Sequence, residues 1–338
     1  MTKTKLLIML ICWQVLIAFW VRMGTFVKSN VHNVENTWLA ISERSYTDAD
    51  WKFFPMYPHL ISTVSRLIED RVKSGLILSL GGFSVAMWYF IKLLRLDESE
   101  GVVITTLITF LLFPTSFFLG AVYSEGLFFM WIVLSFYFAR KKDWPLAGLF
   151  GMFASYTNFF GIFLFPAIFI EAWKNKKQKR DLFWVLLIPL GFWFYVSYVG
   201  LTSGDWLNFY EFKFDQIVMW YQVIWRYLKI IFNSDLNTFY LTKLLELMVG
   251  IVFMVTTIAA FWKTRLSYAL FGFLIYFMTT LPGTFVSLPR FVLVSFGSFL
   301  LLGRWLHARP LLKWLIWGFE FILLAVFTIL FSRGYFVG

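Results

Sequence analysis

The sequence predicts an all-α fold, a polytopic bundle of transmembrane helices that occupies the whole chain as a single integral membrane domain, 1–338. Hydrophobic residues make up 60% of the 338 residues and charged residues only 14%, against roughly 45–50% and about 25% in soluble domains. The 43 Phe and 17 Trp residues exceed what a soluble core can hide, because even large domains leave much of their surface in water.

Metal-binding residues are sparse. The chain has one cysteine, Cys12, inside the first apolar run, and three scattered histidines, His32, His59 and His307. Neither a disulfide framework nor a zinc centre built from Cys or His fits this pattern. We expect no metal ion and no cofactor.

Apolar runs long enough to cross a bilayer recur along the chain, since a helix needs roughly 20 residues for about 30 Å of hydrocarbon. The candidate spans are 6–21, 75–94, 102–120, 124–139, 144–172, 182–201, 241–262, 266–281, 290–306 and 314–331.

The run 144–172 has basic residues on both flanks, which the positive-inside rule assigns to the cytoplasm. An even number of membrane crossings between them places both flanks on the cytoplasmic side. We therefore predict two short helices that turn near Thr157 and Asn158, a re-entrant pair whose turn packs against other helices. The total becomes about eleven membrane segments, with the N-terminus inside and the C-terminus outside.

The net charge of +11 follows from this topology, because the basic excess falls on the segments assigned to the cytoplasm. Nucleic acid is not an expected partner. Membrane lipids are.

Two outer segments, 22–74 and 202–240, are too long for simple connectors and are predicted to form the catalytic face. The first contains an amphipathic stretch, 60–68, and the second is rich in aromatic residues. Both patterns predict elements that lie along the membrane interface.

Polar side chains suited to chemistry also gather on the outer side. Carboxylates together with an arginine can deprotonate an acceptor and hold a phosphate, since the guanidinium forms two charge-assisted hydrogen bonds. The candidates are Glu35, Trp38, Asp48, Asp50, Tyr57, Tyr123, Ser124, Glu125, Asn158, Asp205 and Arg290.

Structural interpretations of these residues stay open at this stage. Ser124 and Glu125 also suit a helix start, Arg290 also suits a headgroup anchor, and Glu35 also suits a solvated loop. Glu320, inside the last span, is either functional or a neutral acid that faces other helices.

Several stretches, in order along the chain, resemble the PIG-V-type mannosyltransferases, the second mannosyltransferase of GPI-anchor synthesis and its prokaryotic relatives, which have the GT-C fold. The similar stretches are 35–46, 53–58, 113–118, 123–128, 202–207 and 288–291. Glu35 stands where the family usually carries Asp, and Asn158 stands where relatives often carry Arg.

The resemblance implies a membrane glycosyltransferase that moves a sugar, most simply mannose, from a polyprenyl-phosphate donor to a glycan or lipid acceptor. Glu35 is then the catalytic base and Arg290 the phosphate partner. The substrate-binding residues are then Trp38, Tyr57, Tyr123, Ser124, Glu125, Asn158 and Asp205. The expected membrane is the plasma membrane in a prokaryote and the endoplasmic reticulum in a eukaryote.

The alternative is a non-enzymatic flippase or transporter of lipid-linked sugars. A transporter is expected to show inverted repeats and polar residues along a path through the membrane. The sequence shows no such repeat, and its polar residues cluster on one side. The enzyme is therefore favoured.

Overall fold

The computed structural model describes residues 3–23, 37–44, 46–47, 50–174, 179–208, 218–335 and 337. Within these residues the regular elements are helices and no strand occurs, which confirms the predicted all-α class. The first eight α-helices are α1 (Lys3–Met23), α2 (Thr37–Arg44), α3 (Met56–Ile68), α4 (Arg71–Leu94), α5 (Glu100–Leu112), α6 (Glu125–Arg140), α7 (Trp144–Thr157) and α8 (Leu164–Lys174). The others are α9 (Lys179–Val185), α10 (Leu187–Ser203), α11 (Trp220–Asn233), α12 (Thr238–Lys263), α13 (Leu266–Thr280), α14 (Leu288–Phe291), α15 (Phe296–His307) and α16 (Pro310–Ser332).

Five stretches of the described chain are helical, long and apolar enough to cross a membrane: α1, α4, 182–203, α12 and α16. The pair 288–294 and 296–307 adds a sixth if it is counted as one bent span. Such helices are typical of a multi-pass membrane protein. The figure of eleven segments stays a prediction.

The backbone forms two compact units, which we call unit 1 and unit 2. Unit 1 comprises 1–34, 98–117 and 212–338, and unit 2 comprises 35–97 and 118–211. In unit 1, α5 packs on α15 and α16, and α12 packs on α11, α13 and α15. In unit 2, α4, α6, α7 and α10 pack in sequence, and α2 and α3 pack on α4. That the chain forms one membrane domain stays a prediction.

The predicted division of 144–172 is confirmed. Helix α7 ends at Thr157, a 3₁₀ turn follows at Phe159–Phe163, and α8 begins at Leu164. The side chain of Asn158 accepts a hydrogen bond from the Phe160 amide at 3.0 Å and so caps the turn. Gly161 lies against the backbone of Ala154, 2.4 Å from where its Cβ would be, so the turn packs directly on α7.

Two other predicted spans are wrong as continuous helices. The run 102–120 breaks, since α5 ends at Leu112 before Pro114, whose ring and missing amide disfavour continuation. The run 290–306 is bent by 84° between 294 and 296. Both runs are apolar along most of their length, so hydropathy alone gives no sign of either break.

Helix α10 approaches α7 closely in unit 2 because small residues line their contact. A Cβ on Gly191 would lie 2.1 Å from the Met152 carbonyl oxygen, a contact that the backbone must move to relieve. Close helix approach through small residues is typical of membrane bundles.

Gly191→Ala is therefore expected to destabilise the protein by about 1–3 kcal/mol, the usual cost of overpacking. Gly81→Ala in α4 is the matched control, because a Cβ there meets nothing within 4 Å. We expect the control to be neutral or to stabilise by up to about 1 kcal/mol through helix propensity. The thermal midpoint of each variant in detergent measures the difference, and equal midpoints would contradict this account of the contact.

Candidate functional site

The first part of the candidate site lies where α2 meets α3 in unit 2. Trp38 is buried, and its ring contacts the ring of Tyr57 edge-on at 5.6 Å and that of Phe53 at 4.9 Å. Pro55 precedes α3 and Pro58 lies in its first turn, where the missing amide costs no helical hydrogen bond. The Pro/aromatic stretch 53–58 thus positions Tyr57, which is fully buried.

The Tyr57 hydroxyl joins this corner to the block before α6. It lies 2.7 Å from Ser79 Oγ and 3.0 Å from the Gly75 carbonyl oxygen. Ser79 Oγ donates to the Tyr123 carbonyl at 2.8 Å, the Tyr57 hydroxyl donates to the Gly75 carbonyl, and either hydroxyl can share its proton with the other. Two sequence motifs more than 60 residues apart are therefore bridged by one serine of α4.

Glu125 begins α6 and is buried, a placement that the positive end of the helix favours for a carboxylate. Burial raises the pKa of the Tyr57 hydroxyl, and the charge of Glu125 raises it further against the opposing hydrogen bond from Ser79. Tyr57 therefore stays a proton donor at physiological pH.

Gly126 allows the approach of this block to α4. A Cβ on Gly126 would lie 2.3 Å from the Leu119 carbonyl oxygen and 2.6 Å from that of Ser79. Ser124, just before the helix, is buried, but its side chain makes no capping hydrogen bond. The structure thus brings five predicted residues together, here called the Tyr57 cluster: Trp38, Tyr57, Tyr123, Ser124 and Glu125.

Two other predicted residues of unit 2 have local roles. Asn158 caps the 3₁₀ turn, as described above. Asp205 is exposed beyond the end of α10, and its carboxylate accepts the Leu207 amide at 2.9 Å. Among the described residues, neither side chain is hydrogen-bonded to a member of the Tyr57 cluster.

Arg290 belongs to unit 1. It lies in the short helix α14, half-buried, with its guanidinium over the Phe291 ring at 4.7 Å. The preceding residue is fixed, because the Pro289 carbonyl accepts a hydrogen bond from the Thr115 hydroxyl at 2.6 Å. Thr115 therefore supports the motif at 288–291 within unit 1.

A polar group that sequence reasoning missed lies near the start of α12. Glu246 is fully buried, and its carboxylate accepts hydrogen bonds from Lys243 Nζ at 2.8 and 3.0 Å and from the Tyr227 hydroxyl. Tyr227 also contacts the Thr284 hydroxyl at 3.1 Å. We call Lys243, Glu246, Tyr227 and Thr284 the Glu246 network. Its sequence signal is an opposite-charge pair spaced by three within an apolar run.

The Glu246 network helps to hold the amphipathic helix α11 against the segment that precedes Arg290. Arg226 donates to the Gly283 carbonyl at 2.9 Å, and the Phe285 amide donates to the Tyr227 hydroxyl at 3.0 Å. Trp220 adds a hydrogen bond to the Thr280 hydroxyl at 3.0 Å. These three bonds follow one face of α11 and fix the chain up to the turn that carries Arg290.

The predicted base Glu35 and its alternative Asp48 lie outside the described residues. The other alternative, Asp50, is described. It is buried, and one carboxylate oxygen accepts hydrogen bonds from Arg44 at 2.7 Å and from the amide and hydroxyl of Thr47 at 2.9 and 2.6 Å. These hydrogen bonds indicate a structural role for Asp50, because they connect its carboxylate to Arg44 and Thr47.

The stability of this loop is expected to depend on pH. Burial alone raises the pKa of Asp50, but the hydrogen bonds from Arg44 and Thr47 outweigh it and hold the pKa below its ordinary value of 3.8. The pairing thus stabilises the protein above about pH 4 and is lost as the pH falls further. Asp50→Asn should shrink the fall in thermal midpoint between pH 5 and pH 3. An unchanged fall would contradict this role.

The sequence matches no family model and no curated protein. Within the described part of the chain, no group of three or more His, Cys, Asp or Glu side chains could hold a metal ion. The functional argument therefore depends on the motifs and on the contacts between them.

Proposed function

We propose that this chain is a GT-C-like glycosyltransferase related to the PIG-V-type mannosyltransferases, with about eleven membrane segments and a re-entrant pair. It transfers a sugar, most simply mannose, from a polyprenyl-phosphate donor to a glycan or lipid acceptor. The reaction takes place on the outer face of the plasma membrane, or on the lumenal face of the endoplasmic reticulum if the organism is eukaryotic.

The main support for this proposal is the contact between the sequence motifs. Trp38 of the stretch 35–46 contacts Tyr57 of the stretch 53–58 directly, and Ser79 joins Tyr57 to Tyr123 of the stretch 123–128. The stretches 113–118 and 288–291 are likewise joined, through Thr115 and Pro289. Short motifs that match by chance have no reason to be in contact, so their pairing supports a common role.

The proposed chemistry is an inverting displacement. Glu35 accepts the proton of an acceptor hydroxyl while that oxygen bonds to the anomeric carbon of the donor sugar. The bond from the anomeric carbon to the phosphate oxygen breaks, and polyprenyl phosphate leaves with the electron pair. Arg290 binds that phosphate, since its planar fork gives two charge-assisted hydrogen bonds. The hydroxyl of Tyr57 and the carboxylate of Glu125 help to shape the acceptor pocket.

Arg290→Lys is expected to lower donor use by about 10- to 100-fold, because lysine keeps the charge but loses the second hydrogen bond to the phosphate. Arg265→Lys, at the residue just before α13, is the matched control and should retain activity. Both variants should elute from size-exclusion chromatography at the volume of the native protein, which establishes that they fold. Full activity of Arg290→Lys would make Arg290 a headgroup anchor instead.

An assay in proteoliposomes separates transfer from translocation. Polyprenyl-phosphate mannose labelled in the sugar is supplied with a lipid acceptor, and the label is followed by chromatography. The proposal predicts label on the acceptor and release of polyprenyl phosphate. Label that changes leaflet while the donor stays intact would instead support the flippase alternative.

A further inference from the structure

Unit 1 contains an apolar groove of about 870 Å³ that the proposed reaction does not use. This volume is in the range of ligand pockets, about 300–1,000 Å³. Helices α5, α12, α15 and α16 contribute its walls. Val252 and Val255 of α12 and Phe319 of α16 are among the lining residues, and all three are exposed.

The occupant of this groove must come from the membrane. Helices α12 and α16 are both long and apolar enough to span a bilayer, so a groove along them opens to lipid chains. It extends along α12 from Leu245 to Lys263, about 27 Å at the helical rise per residue. A water-soluble solute or a polar peptide would lose its hydration there without compensating hydrogen bonds.

Basic side chains line one end of the groove. Lys263 ends α12, Arg304 lies in the last turn of α15, and Arg309 precedes α16, so the three converge where these helices meet. Arg304 is already occupied, because it donates to the Glu98 carboxylate and to the Lys263 carbonyl. The charged groups of Lys263 and Arg309 remain for a ligand.

Arg309 is oriented by the groove wall. Its guanidinium lies over the Trp305 ring at 4.9 Å and donates to the Trp305 carbonyl at 3.2 Å. Glu320 is the one acid among the lining residues, and it lies eleven positions beyond Arg309, about 16 Å away along α16. At the basic end the Glu98 carboxylate is paired with Arg304, so Lys263 and Arg309 leave a net positive charge there.

We propose that this groove binds an anionic phospholipid, with its phosphate between Lys263 and Arg309 and one acyl chain along Val252, Val255 and Phe319. The charge of the basic end complements an anionic headgroup. The apolar wall complements the chain. In the topology proposed above, this end faces the cytoplasm, so the lipid comes from the inner leaflet and the site is separate from sugar transfer.

Trp305 provides a local probe, because it lines the groove beside Arg309. Phosphatidylglycerol with brominated chains is titrated into the full-length protein in detergent micelles, and brominated phosphatidylcholine is titrated in parallel. The Trp305 signal is the difference between the native protein and Trp305→Phe. We expect phosphatidylglycerol to quench this signal at lower concentration than phosphatidylcholine. Equal quenching by the two lipids would overturn the proposal.

The charge requirement is tested by Lys263→Gln/Arg309→Gln. Each basic residue near a membrane surface contributes about fivefold to the binding of anionic lipid, so the double variant should raise the half-quenching concentration roughly 25-fold. Lys141→Gln/Lys142→Gln removes the same charge from a loop of unit 2 and should change nothing. Equal effects of both pairs would reduce the site to general surface charge and overturn the proposal.

The shape requirement is tested by Ala259→Phe, which fills the groove near its basic end and keeps both cations. It should abolish the quenching of the Trp305 signal by phosphatidylglycerol, whereas retained quenching would overturn the proposal. Unchanged helicity and thermal midpoint without lipid establish that each variant folds. A polyprenyl phosphate that displaces phosphatidylglycerol at lower concentration than phosphatidylglycerol itself would assign the groove to an isoprenoid lipid and also contradict the proposal.

Discussion

Glu35→Gln is expected to lower the rate of sugar transfer by about 10²- to 10⁴-fold, the usual effect of removing a general base. Glutamine keeps the size and hydrogen-bonding capacity of the side chain but cannot accept the acceptor's proton. Donor binding should be retained, because the phosphate partner, Arg290, is unchanged. The measurement compares single-turnover transfer with donor affinity, so that a loss of chemistry is separated from a loss of binding.

Two control variants make this test specific. Glu35→Asp should recover part of the rate if the geometry tolerates a shorter side chain. Asp50→Asn should lower stability rather than the rate constant, since Asp50 is paired with Arg44 and a carboxylate of lowered pKa is a weaker base. A fully active Glu35→Gln together with an inactive but folded Asp50→Asn would transfer the role of base to Asp50.

Lys243→Met is expected to destabilise the protein by about 3–5 kcal/mol, because it leaves the carboxylate of Glu246 buried without its cation. Lys243 Nζ bonds both oxygens of that carboxylate, and the side chain of Glu246 has no exposed surface. Unfolding in mixed micelles with increasing denaturing detergent measures the change.

The double variant Lys243→Met/Glu246→Met is the decisive comparison. Replacing both partners of a buried ion pair by apolar residues is often neutral or stabilising, so the double variant should regain most of the stability lost by the single one. If both lose stability equally, the two side chains act independently and the Glu246 network is not a unit.

Hydropathy and charge were sufficient for the class of fold and for the division of 144–172. The division followed from basic flanks on both sides, and Asn158 provides its local cause by capping the turn. Hydropathy was insufficient where the chain bends within an apolar run, at 112–116 and at 294–296. A break in a helix requires no polar residues in the sequence when neighbouring buried groups form hydrogen bonds with the backbone groups that the break frees.

The candidate site was predictable in part for a similar reason. The residue types of Trp38, Tyr57 and Glu125 and the prolines or glycines beside them indicated a site, and all three residues belong to the Tyr57 cluster. The bridging residue Ser79 was not predictable, because a serine in an apolar helix is commonly a packing residue. Glu246 was missed although its i,i+3 spacing from Lys243 was visible, because the run around both was interpreted only as a span.

Sugar transfer by the purified full-length protein tests the central claim most directly. Polyprenyl-phosphate mannose, labelled in both sugar and phosphate, is incubated with a membrane lipid extract as acceptor. The account predicts one polyprenyl phosphate released for each mannose gained by the acceptor, with the rate lowered in Glu35→Gln. An intact donor after prolonged incubation with folded native protein, across lipid and glycan acceptors, would contradict it.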